Sequence, residues 1–440
     1  MTAWTAYKPD QQHPWDSRRV AHLHRRTVFG LTAGELRRDL NSTPDDCVSR
    51  LLAGECREGV PKEFERLSAL IGEAAAGQKN IDRLKAWWIY RMLFSPDPLG
   101  ERLTFMWHNH FATSNLKVND LTQMKRQNDT FRASARAKFG PLLHAMLRDP
   151  ALLRWLDAQN NRKGKANENL GRELLELFTL GIGNFNEADV KGAARALTGL
   201  AIKGGQFRFD KQRHDSDEKT ILGQTRNLDP ERLVDLLLSH PATARRLADK
   251  LIAEFFAADV VSDKERDELA LRLTESSLDI GKAVETILRS QLFFSDANIN
   301  RRISDPLTFL IAPLRALEVF EPPSTLILVD WLRRMGLELF YPPNVAGWPG
   351  GRAWLTTRTV IARANYGAAV LSGEIHRDPK APSLEQLARK HDATKPDEFR
   401  SLMNTLLFGS GDRESEKEES GSDYLAVALK VMTGTSVHLH

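Results

Sequence analysis

Residues Asn167–Gly183 read NENLGRELLELFTLGIG. At about 100° per residue, Leu170, Leu174, Leu177 and Phe178 fall on one face of a helix, and Asn169, Arg172, Glu173 and Glu176 on the other. Asn167 suits the N-cap, and Glu168 the first turn, where a carboxylate meets the helix dipole. Spacings of four join Glu168 to Arg172 and Arg172 to Glu176 as a salt-bridged ladder. Gly181 and Gly183 end the helix. Asn186, followed by Glu187 and Asp189, opens the next one as a near capping box. A solvated surface is the plainer reading of the polar face. The absence of Lys and Gln from it, and its run into apolar Leu180, argue instead for one wall of a site.

The same period recurs outward from this stretch, in IDRLKAWWIYRMLF, ARRLADKLIAEFF, PLTFLIAPLRALEVF and STLILVDWLRRMG. Start signals accompany it: Asp229-Pro230, Pro306 and Asp279 each precede an apolar-periodic run. Pro313 lies inside its own pattern and should kink or break that helix. One stretch departs from the helical period. Gly199–Asp210, GLAIKGGQFRFD, alternates on both sides of Gly204-Gly205 and predicts a β-hairpin. Tyr341–Trp354, YPPNVAGWPGGRAW, is too rich in Pro and Gly for regular structure, and a loop of that length is often functional. The expected fold is therefore mainly α. A large multi-helical domain spans 1–378, with a small hairpin insert near 199–210 and the irregular loop 341–354. A C-terminal helical appendage, 379–440, carries a polar linker at 409–423, charged enough to stay mobile.

The 440 residues are 41% hydrophobic and 27% charged, a globular composition. The net charge of +4 is spread along the chain without a basic run, which argues against a nucleic-acid partner. The two cysteines, Cys47 and Cys56, form neither a disulfide framework nor a Cys-ligated metal site. The polar N-terminus lacks a signal peptide's apolar core, and no apolar run is long enough for a membrane span, so a soluble, cytoplasmic protein is expected. HExxH, Glu-x-x-His, GxGxxG, Walker A, GxSxG and DDxxD are all missing. That removes zincins, ferritin-like di-iron bundles, the commonest nucleotide sites, α/β-hydrolases and helical terpenoid cyclases.

Two further stretches carry candidate chemistry. In Gly100–Ser114, GERLTFMWHNHFATS, a helix would place His110 with Leu103, Met106 and Trp107, and His108 with Glu101 on the opposite side. If the chain becomes extended after Trp107, His108 and His110 project together, the H-x-H spacing of metal sites. In Arg213–Gly223, RHDSDEKTILG, His214 and Asp215 offer an imidazole and a carboxylate; a turn-rich surface loop is the plainer reading there.

Together these pieces resemble the bacterial family known as domain of unknown function 1800. The resemblance runs over roughly Arg18–Tyr366, through AHLHRRTVFG, ERLTFMWHNHFATS, NENLGRELLELFTLGIGNFNEADVKGAARALTGL, FRFDKQRHDSDEKTILG and YPPNVAGWPGGRAW. It implies weight on Trp107 to Phe111, on Asn167, Glu168, Asn169, Arg172, Glu173, Glu176, Gly181, Glu187, Asp189 and Val190, on His214, Asp215, Lys219 and Gly223, and on Pro342, Pro343, Asn344, Gly347 and Trp348. Many members are exported, whereas this chain shows no signal. The family label names no reaction. The leading expectation is a hydrolase-type site with His108, His110, Arg172, Glu173 and Glu176 as catalytic residues. Its candidate cofactor is a divalent metal held by His108, His110, Glu173, His214 and Asp215, with the 341–354 loop as a lid. Without metal, Glu173 or Glu176 would be the general base and His108 or His110 the acid. The rival expectation is a non-catalytic helical scaffold with a protein partner, its polar residues forming a buried, internally satisfied network.

Overall fold

The computed structural model describes residues 4–321, 323–377, 381–409 and 423–434. Among these there are twenty-two α-helices and two separate two-stranded antiparallel sheets, so the fold is mainly α. No helix among the described residues is long and apolar enough to cross a membrane. Most of the linker expected at 409–423 lies outside the described residues.

The helix starts follow their caps. Asp229 accepts from Arg232 N at 2.9 Å and Asp279 from Lys282 N at 3.0 Å. Asn186 and Asp189 complete a capping box. The helix Pro306–Ala316 runs on past Pro313, so the expected break does not occur. The expected hairpin pairs Leu200–Lys203 with Gln206–Phe209. Gly204 and Gly205 take φ of +59° and +75° at its tip, the left-handed pair that a two-residue hairpin turn needs. A second, shorter hairpin pairs Lys219–Ile221 with Gln224–Arg226.

Two apolar clusters form the core. One gathers Phe131, Leu142, Leu174, Phe178, Leu251 and Phe293 from the middle of the chain. The other joins Trp88, Met124, Leu310, Tyr366, Phe399 and Met432 from both ends. Two helices lie at the seam and pack on each other, Ser17–Val28 and Pro98–His110. The first gives Leu23 and Val28 to one cluster and Val20 and Ala21 to the other. The second gives Leu103, Met106 and Trp107 to one and Phe105 to the other. A helix shared by two cores has no free side, so its polar residues are buried too. Every residue from Arg19 to Val28 is buried, including His22, His24, Arg25 and Arg26. The helix Pro396–Phe408 packs on this seam helix, and Asn300 Nδ2 donates to its Phe408 carbonyl at 2.8 Å.

Candidate functional site

The helix Pro98–His110 stays helical through both histidines. Two residues apart on a helix is about 200°, so His108 and His110 point in opposite directions. His108 is 1% exposed and sits among the rings of Trp88, Phe340, Trp348 and Phe131 at 5.4–6.1 Å. Neither of its ring nitrogens has a partner among the described residues, and burial pushes its pKa down to about 3. His110 enters the other cluster, against Phe111, Phe139 and Phe178. Its Nε2 donates to the Phe178 carbonyl at 3.2 Å. Burial, with Lys250 and Arg246 nearby, holds it well below the usual histidine range. Both imidazoles are therefore neutral at physiological pH. The extended H-x-H alternative does not occur, because the helix ends only after His110.

The residue between them has a defined task. Asn109 Oδ1 accepts from Trp348 N at 2.7 Å. A Cβ on Gly347 would lie 2.1 Å from that same oxygen, and Gly347 has φ +85°, so only glycine fits. Trp348 then stacks on Phe105 at 5.4 Å. The 341–354 loop, expected as a lid, is thus pinned to the seam helix by an Asn–Gly–Trp lock.

The opening stretch is α-helical over Asn169–Glu173 and then widens into a π-helix over Leu174–Thr179. Leu170, Leu174 and Phe178 are buried and Leu177 is half-buried. Asn167 Oδ1 accepts from Asn169 N at 2.9 Å. Arg172 faces outward. It makes two 2.8 Å bonds to exposed Glu187 and a 3.3 Å contact with Glu168, so the expected Arg172–Glu176 rung is replaced by a link to the next helix. Glu173 and Glu176 are half-buried, and no hydrogen bond or ion pair from a described residue reaches either. Burial and the neighbouring Glu176 raise the Glu173 carboxyl pKa against the pull of Arg172.

His214 and Asp215 serve the hairpins. His214 Nδ1 donates to the Thr198 carbonyl at 2.9 Å. Asp215 receives Arg195 Nε at 2.7 Å, and that pairing outweighs burial to lower its pKa. Lys219, 1% exposed, donates to the carbonyls of Asp215 and Leu228. Asp189 accepts from Asn186 N at 2.8 Å and from Leu222 N at 2.7 Å, tying the second hairpin to its helix. Among the described residues no three His, Cys, Asp or Glu side chains form a group that could hold a metal ion. His108, His110, Glu173, His214 and Asp215 are not gathered into one such centre. The contact between the His110 segment and the Glu168–Glu176 helix runs through a backbone carbonyl rather than a carboxylate.

The dense polar chemistry lies at the seam. Glu101, 1% exposed, accepts from Arg91 and Arg132 at 2.7 Å and from Trp88 at 3.2 Å. Burial alone would raise its pKa, but Arg132 and Arg91 bring it below the usual range. Arg102 bridges Glu254 at 2.5 Å and Asp305 at 3.0 Å. Burial opposes ionisation of Asp305, yet Arg102 and the Thr308 amide hold it down to about 2. Arg315 pairs with Glu35 at 2.5 Å, and His24 with Asp39 at 2.7 Å. Apart from Glu101, sequence reasoning passed over these groups. The available signal was that the charged residues of Ser17–Val28 are all Arg and His, without Lys or Glu. Guanidinium is the cation that tolerates burial best.

These features define a class: a mainly α protein with a buried, ion-paired seam between two apolar clusters. The chain belongs to the family described as "Protein of unknown function (DUF1800)", whose family model matches residues 22–431. That span reaches beyond the resemblance read from the motifs and includes the helix Pro396–Phe408. Neither a curated protein nor a solved structure matches the chain.

Proposed function

We propose that the protein acts as a helical scaffold that presents its surface to a partner, with its motif residues holding the packing rather than performing a reaction. The Asn109–Gly347–Trp348 lock carries this reading. It joins two motif stretches more than 200 residues apart, and it uses all three residues for fit rather than for exposed chemistry. The seam network supports it, since its carboxylates find cationic partners inside the molecule. Asn109→Ala should leave the Trp348 amide unpaired and cost about 1–3 kcal/mol in a urea titration. Gly347→Ala should be at least as damaging, through the clash and the positive φ. Unchanged midpoints for both variants would contradict the scaffold reading.

A second reading rests on a separate observation. Glu173 and Glu176 are half-buried, have no partner among the described residues, and flank the start of a π-helix, a form that often marks functional sites. A hydrolase using Glu173 as general base would lose turnover in Glu173→Gln at unchanged stability, measured over a panel of chromogenic esters, amides and phosphoesters. No turnover of any substrate by the wild-type chain leaves the scaffold reading alone.

A further inference from the structure

Behind the helix Pro241–Phe255 the seam holds more positive charge than its carboxylates balance. Arg26 and Arg363 have no exposed surface, and Arg102 only 1%. Arg26 spends one nitrogen on the Asn298 carbonyl at 3.3 Å, and its Nε and Nη1 have no partner among the described residues. Arg363 spends one on the Ser304 carbonyl at 2.9 Å and lies over the Phe309 ring, and its Nε and Nη1 are likewise unpartnered. Arg302 donates to the Glu254 carbonyl. Lys250, one turn before Glu254, has no hydrogen bond or ion pair with any described residue. The carboxylates in this group are Glu254 and Asp305, and Arg102 bridges both. Among the described residues of this group, five cations thus accompany two anions.

The cluster is contiguous. Arg26 feels Arg302, Arg102 and Glu254; Lys250 feels Glu254 and Arg246; Arg363 feels Asp305. It also has a wet side, because Lys250, Glu254 and Arg302 are only half-buried. Desolvation pushes the Lys250 ammonium down to about 8, against the pull of Glu254. Water would satisfy the open guanidinium N–H groups but not the charge. An excess of more than one positive charge suits a dianion better than a carboxylate, and guanidinium forks suit tetrahedral oxygens.

We propose that this cluster is an oxyanion site that takes a phosphate group, entering from the Lys250–Arg302 side, with Arg26 and Arg363 at its floor. The inference goes beyond the scaffold reading and does not depend on it. Two sources share the chemistry, free inorganic phosphate and a phosphate ester on a small molecule.

The test is calorimetric titration of the full chain with inorganic phosphate and, separately, with glycerol 3-phosphate, each against chloride at equal ionic strength. Saturable binding of either is expected, and a tenfold preference for the ester would name it as the natural form. Arg26→Gln risks misfolding, so the decisive variants are Lys250→Gln and Arg302→Gln at the rim. Each should weaken binding tenfold or more, while the outward-facing Arg172→Gln binds as wild type does. No binding above the chloride control in either titration overturns the proposal. So does an unchanged affinity in Lys250→Gln.

Discussion

The helices Ser17–Val28 and Asn169–Thr179 both carry charged residues among small and leucine side chains, and they end in opposite surroundings. In the first, every residue from Arg19 to Val28 is buried, and arginine side chains terminate on carbonyls such as those of Leu407 and Asn298. In the second, Arg172 turns outward to an exposed glutamate. The difference lies in what covers each helix. Ser17–Val28 is shared by two apolar clusters, whereas Asn169–Thr179 offers Leu170, Leu174, Leu175, Leu177 and Phe178 to just one of them. A polar stripe therefore marks a solvent face only when a second core does not close over it.

Substitutions that break this contrast should differ most in stability. Arg102→Met, in the seam, removes the guanidinium that pairs directly with both Glu254 and Asp305 and should cost about 3–5 kcal/mol in urea unfolding. Leu174→Ala probes the one face of the outer helix that is covered. At 0% exposure it should cost about 2–5 kcal/mol as a core truncation. An unshifted midpoint would mean that the helix is turned the other way.

Asp149 sharpens the contrast through pH. It is buried at the start of the helix Pro150–Trp155, where Gln127 and the Leu152 amide bond it, but no cation among the described residues pairs with it. Burial raises its carboxyl to about 6, against those hydrogen bonds. The native state then keeps a proton that the unfolded chain releases near 4. Its contribution is full below about pH 4 and lost as pH rises through about 6, a span of about 3 kcal/mol. Asp149→Asn should flatten that part of the stability–pH curve; an identical slope in both proteins would show that Asp149 ionises freely. The smallest effect belongs to Arg172→Ala, whose urea midpoint should stay where it is, because exposed ion pairs contribute little. A large loss there would return the outer helix to the role of a buried wall.

The helix starts were legible because caps act locally: Asp229, Asp279 and Asn186 each bond an amide two or three residues on. The first hairpin was legible because Gly204-Gly205 supplies both left-handed residues. The second escaped notice because its strands are three residues long and its turn places Leu222 at φ +51°, where leucine is rarely expected. The H-x-H spacing of the two histidines has two meanings, and only the length of the helix decides between them. The seam network was the least legible part. Its partners, such as Arg102 with Glu254 and Arg315 with Glu35, lie 152 and 280 positions apart, and nothing local announces them.

Amide hydrogen exchange on the full chain tests the burial of the charged seam helix most directly. If Ser17–Val28 belongs to the interior, the amides of Leu23–Val28 should exchange only through global unfolding, with free energies equal to that from urea. The surface helix Asp263–Glu275, which buries only Leu269, Ala270 and Leu273, should open locally and far sooner. Exchange of Leu23–Val28 at the rate of that surface helix would contradict the account.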